Sequence, residues 1–309
     1  MQSSEINNPR TTIDIFNNVN GFDDNIPQSI EELEIPSSPR EGRQQPEIIR
    51  HDLVNSYNSP PESNPYQPER RFDVALRHIV DKYEIREQFS QKLPLLEHYK
   101  IIIVCDDSGS MKTPVDRTNK TRWDELREIV KIILEIGVIF DSNGVDIHFL
   151  NRPPILRVTD PTVIDEQFSI PPRGYTPLVP VLTRIFSSPE AQRGRDKKVL
   201  VFVATDGTPT DNKGNVKIDE LDDVLTRVRN AEATHVMFLI CTDDPACVAY
   251  LVDFDERLDN VDVTDDFFTE RERVWRKNGP AYPFSKGDYI AKTLLGAIDP
   301  EIDAIDDNP

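Results

Sequence analysis

Asp106, Ser108 and Ser110 stand at alternate positions in IIIVCDDSGSM, residues 101–111. One carboxylate and two hydroxyls spaced this way in a turn can aim three oxygens at one point, and Gly109 permits the bend. Oxygen-only ligands of low total charge suit a hard cation, Mg²⁺ or Mn²⁺, with octahedral geometry and water in several positions. Three such groups do not close a site. A second contribution is expected from Asp206 in ATDG, residues 204–207, and a third from Thr176 in GYTPL, residues 174–178. Alone, a D-x-S-x-S pattern is common, because Asp and Ser abound in turns. Its pairing with a T-D-G about 100 residues later, and a G-x-T-P loop between them, makes it specific.

The elements that would hold these residues are legible from periodicity. Apolar runs at 101–105, 145–151, 198–207 and 235–244 read as strands. Helical spacing marks 121–140, 176–186, 219–232, 248–258 and 285–298. Apolar strands alternating with amphipathic helices predict an α/β fold: a doubly wound, mostly parallel sheet with helices on both faces. In such sheets ligands bind at the carboxyl ends of the strands, near the point where strand order reverses. Three of the four expected strands run into acids, at VCDDSGS, VATDGTPTD and LICTDD.

Around this lies a different kind of sequence. Residues 1–70 hold nine of the 25 prolines and 12 acidic against 5 basic residues. Segment 1–71 is therefore expected to be a disordered acidic arm, a solvated tail in the first reading and a docking segment in the alternative, with SIEELEIPSSPR (29–40) as its patch. Residues 72–94 read as a helix packing onto a domain at 95–299, and 300–309 as an acidic tail. A formal net charge of −19 disfavours nucleic acid and an anionic membrane surface as partners. Three cysteines without a C-x-x-C pair suggest reduced thiols, and no signal peptide or membrane span is apparent, so a cytoplasmic protein is expected. The five histidines share no ligand spacing; His148 and His235 read as strand residues.

DDSGSM, GYTPL and ATDG, in this order and spacing, resemble the three metal-site loops of the von Willebrand factor type A (vWA) domain, the fold of the integrin I domain. The resemblance spans about two-thirds of the chain. It implies a metal-ion-dependent adhesion site built from Asp106, Ser108, Ser110, Thr176 and Asp206, with an Asp or Glu of a partner protein completing the cation's shell. It implies direct ligation by the two serines, ligation by the two aspartates directly or through water, and a Thr176 that moves with the state of the site. Tyr175 departs from the small residue usual in the family, which puts an aromatic on the partner-binding rim. Asp107 is a second acid beside the first: it reads as a solvated turn residue on the partner-binding rim, or as a charge that raises the local affinity for a cation. One alternative is a scaffold whose metal only stiffens three loops. Another is a Mg²⁺-dependent phosphohydrolase of the haloacid dehalogenase type. That chemistry wants D-x-D, and here Ser108 replaces the second carboxylate, so catalysis is not expected.

Overall fold

The computed structural model describes residues 68–306, apart from 116–118, 195 and 243. The expected arm and its 29–40 patch lie outside the described residues. The chain divides after Glu62, and the sheet and its helices belong to the unit Ser63–Pro309.

Six strands form one sheet: β1 (Tyr99–Cys105), β2 (Val145–Phe149), β3 (Ile155–Val158), β4 (Lys198–Thr205), β5 (Thr234–Ile240) and β6 (Val261–Thr264), in the order β3-β2-β1-β4-β5-β6. All neighbours are parallel except β2 and β3. The helices are α1 (Pro68–Tyr83), α2 (Glu87–Ser90), α3 (Arg122–Phe140), α4 (Thr162–Phe168), α5 (Leu178–Phe186), α6 (Pro189–Arg193), α7 (Ile218–Asp223), α8 (Pro245–Arg257), α9 (Phe267–Asn278), α10 (Lys286–Leu295) and α11 (Pro300–Asp303). The expected α/β fold is what the chain adopts. Alternate residues of β1 supply two cores: Ile101, Ile103 and Cys105 face one, which contains Val130 and Leu134 of α3 and Leu294 of α10. Ile102 and Val104 face the other, with Val181 and Leu182 of α5 and Leu251 of α8. Strands buried on both sides carry apolar residues at every position, which is why they read as continuous runs.

Strand order reverses between β1 and β4. From β1 the chain steps to β2 on one side, and β4 lies on the other. The two strands are in register through Cys105 and Ala204, so their carboxyl ends finish level. Asp106 and Asp206 emerge there, at the crevice such folds use for ligands.

Several expected boundaries shift. β3 and β6 are additional strands of four residues each, too short to show a pattern, and β3 is a half-exposed edge preceded by Pro153 and Pro154. The helix expected over 72–94 ends at Tyr83, because Glu84 takes a positive φ of 54°; α2 and a 3₁₀ turn at Leu93–His98 complete the segment. The 300–309 stretch is not merely a tail. Pro300–Asp303 is helical, Ile302 is buried, and Asp306 pairs with buried Lys292 at 3.1 Å. Among the described residues no helix is long and apolar enough to cross a membrane.

Candidate functional site

The first loop turns sharply on leaving β1. The backbone N–H of Asp106 still donates to the β4 carbonyl of Ala204 at 2.9 Å, so the sheet ladder holds this residue. Its side chain is fully buried: Oδ1 accepts from the Ser108 backbone N–H at 2.9 Å, and Oδ2 accepts from the Thr205 hydroxyl at 2.8 Å. The Ser108 bond closes a local Asx turn. A 3₁₀ turn at Gly109–Lys112 comes next, pinned by Met111, which is completely buried.

From there a chain of oxygens crosses to the third loop. The Ser110 hydroxyl donates to Asp206 Oδ1 at 2.8 Å. Ser110 has thereby used its one hydrogen, so Ser108 must be the donor in the 2.9 Å contact between the two hydroxyls. Asp206 is 2 % exposed, and its second oxygen, Oδ2, accepts from Arg122 Nη1 at 2.9 Å. The other guanidinium nitrogen, Nη2, donates to Thr242 Oγ1 at 2.8 Å, beyond the end of β5. Burial together with the neighbouring Asp206 raises the Asp106 carboxyl to about 7, against the opposing pull of its hydrogen bonds from Ser108 and Thr205.

The second loop is tied to both others. Gly109 N–H donates to the Gly174 carbonyl at 3.0 Å, and Arg173 N–H to the Asp107 carbonyl at 2.6 Å. Thr176 is buried, and its backbone exchanges two bonds with Thr210: its N–H donates to Thr210 Oγ1 at 3.0 Å, and its carbonyl accepts from Thr210 N–H at 2.9 Å. Gly174 needs its φ of +102°, and a Cβ there would lie 2.5 Å from Asn151 Oδ1. The structure thus brings Asp106, Ser108, Ser110 and Asp206 into one hydrogen-bonded cluster, while Thr176 is bonded to Thr210 and not to any member of it. Tyr175 is half exposed and rests against Gly214, where the next loop folds back through the Thr210–Val216 bridge.

Asp107 departs from expectation. It is 1 % exposed, so it is neither a solvated turn residue nor part of an open rim. Oδ1 accepts from Asn151 N–H at 2.8 Å and from Asn151 Nδ2 at 3.1 Å, and Oδ2 pairs with Arg152 Nε at 2.9 Å. Arg152 also donates through Nη1 to the Gln167 carbonyl near the end of α4 and lies over the Phe149 ring. Asn151 Nδ2 reaches the Tyr175 carbonyl at 2.9 Å, so one amide links the acid of the first loop to the backbone of the second.

Arg122, Asn151, Arg152 and Thr210 were not singled out by motif reading. Arg122 did carry a signal. It is the first residue of α3, after the Thr121 cap, where a cation opposes the helix dipole, so an ion pair was to be expected.

The donor set fits a hard cation. Its clustered members are oxygens alone, from the first and third loops, linked by contacts of 2.8–2.9 Å. Two buried carboxylates belong to it, and among the described residues Asp206 alone of the two has a cationic partner. The nearby thiols offer no soft alternative: burial pushes both Cys105 and Cys241 up, away from the thiolate form.

The sheet order and the helices on both faces define the class as a doubly wound α/β domain, with oxygen-bearing side chains gathered at its switch point. No family model matches the sequence, and no curated protein matches it. Among solved structures, it is similar to the crystal structure of the pilus adhesin SpaC from Lactobacillus rhamnosus GG, with 15 % identity and a TM-score of 0.37 over 66 % of this chain. The match spans 30 % of that adhesin's own length.

Proposed function

We propose that this chain is a vWA-like protein-binding module that captures an Asp or Glu of a partner protein through Mg²⁺ or Mn²⁺. The observation that supports this is the cluster of Asp106, Ser108, Ser110 and Asp206 at the reversal point between β1 and β4. When bound, the cation supplies a Lewis-acidic position for a carboxylate oxygen. Asp106 and Asp206 provide the anionic donors, Ser108 and Ser110 the neutral ones, and Thr176 the contribution of the second loop. With so few formal charges, the donor set leaves a divalent ion able to attract an external acid. Tyr175 stands half exposed beside the second loop and offers a rim contact for the residues flanking that acid.

Calorimetric titration with MnCl₂, then affinity capture in Mg²⁺ or chelator, tests the reading. Asp106→Ala and Ser108→Ala are expected to abolish metal binding and metal-dependent capture with the fold retained, and Thr176→Ala to weaken them less. Equal capture by wild type and Asp106→Ala, with or without chelator, would refute it.

A further inference from the structure

Arg122 sits between the candidate site and the end of β5, bridging Asp206 Oδ2 and Thr242 Oγ1 at 2.9 and 2.8 Å. Its side chain is 19 % exposed and that of Asp206 is fully buried, so the pair is shielded from bulk screening. Setting aside the exposed charges such as Lys112 and Arg173, the other charges at the cluster are buried Asp106 and the pair Asp107–Arg152, which is already neutral. With Asp106 ionised, as holding a cation requires, these groups sum to one negative charge with Arg122 and to two without it.

We propose that Arg122 is the specificity-determining residue of the site: a built-in counter-cation that weakens metal binding and makes the metal-loaded site select an anion. This inference rests on the metal-binding reading proposed for the cluster. A divalent cation added to a site of charge −1 leaves +1, which one carboxylate neutralises. Added to a site of charge −2, it leaves none, and the electrostatic attraction for an external carboxylate is weakened. Arg122 thus acts in opposite directions on the two binding steps. It repels the cation and attracts the acid. The guanidinium is suited to this because Thr242 takes its second nitrogen, which keeps the charge on the far side of Asp206 from Ser110.

The test uses the full chain, stripped with chelator, with Mn²⁺ alone and then acetate as probes. Arg122→Gln is expected to bind Mn²⁺ more tightly, and once loaded to bind acetate more weakly, each by on the order of tenfold. Arg122→Lys, which keeps the charge, is expected to stay near wild type in both titrations. The metal-free melting temperature gives an independent readout: Arg122→Gln should melt lower than wild type, and Mn²⁺ should close the gap. Opposite shifts in the two affinities support the assignment. Both affinities falling together, or neither moving, would overturn it while leaving the metal site intact. Absence of Mn²⁺ binding by wild type and Arg122→Gln alike would overturn the site reading and this inference with it. Should Arg122→Gln not fold, adding Asp206→Asn restores the charge balance and is expected to restore the fold; a double variant that also fails overturns the charge assignment.

Discussion

Asp107→Ala is the substitution whose cost can be worked most directly from the geometry. The carboxylate is 1 % exposed and makes one ion pair and two hydrogen bonds, to Arg152 and to both nitrogens of Asn151. Truncation leaves Arg152, itself only 14 % exposed, without its counter-charge, and leaves the Asn151 backbone N–H without its acceptor. Removing one partner of a buried ion pair costs about 3–5 kcal/mol, and an exposed pair about 0–1 kcal/mol. Burial places this pair near the first value, so a loss of about 3–4 kcal/mol is expected. Urea or guanidinium unfolding, with the denaturant slope unchanged, would measure it. The cycle completed by Arg152→Met and the double variant should show a coupling of at least about 1 kcal/mol, since the two groups are in direct contact. A single-variant loss below about 1 kcal/mol would refute the clamp and place Asp107 among exposed pairs. Loss of partner binding at full stability would return it to the rim.

Two further outcomes are expected from other parts of the fold. Gly174→Ala must hold a φ of +102° and meet Asn151 at 2.5 Å, so a loss of about 1–3 kcal/mol is expected by thermal melting; a neutral result would mean that the second loop relaxes freely. His235 is buried, and burial lowers it from 6.5 to about 4, so the fold prefers the neutral ring. Its contribution is complete above about pH 6.5 and lost as pH falls towards 4, so wild type should lose up to about 3 kcal/mol relative to His235→Gln over that window. Parallel pH–stability curves for the two proteins would refute it.

The central strands and the long helix α3 were legible because each is a long run with a single period, and Thr121 with Asp124 forms a capping box at its start. The acids at strand ends were legible because a charge directly after a buried run marks where the strand leaves the core. β3 and β6 were not, since four residues fix no periodicity and β6 carries a buried aspartate that reads as surface. Asp107 misled for a related reason. Its neutralising partner, Arg152, lies 45 residues away, after β2, and only the parallel pairing of β1 with β2 brings the two together. A residue's local sequence reports its charge, whereas its burial depends on strand order.

The same pairing bears on how the site can move. A second loop that shifts Thr176 relative to the first must break the bonds from Gly109 to Gly174 and from Arg173 to Asp107, and that of Asn151 to Tyr175. It must also break the two between Thr176 and Thr210. Each is worth only about 0.5–1.5 kcal/mol when water can replace it, but five in concert make a cooperative unit. A cluster held this way keeps its oxygens in place before any ligand arrives. On the proposed reading, little of the binding energy would then go into ordering the loops. Asp107 and Asn151 provide this rigidity, and the acid that looks from its sequence position like a metal ligand is what holds the first and second loops together.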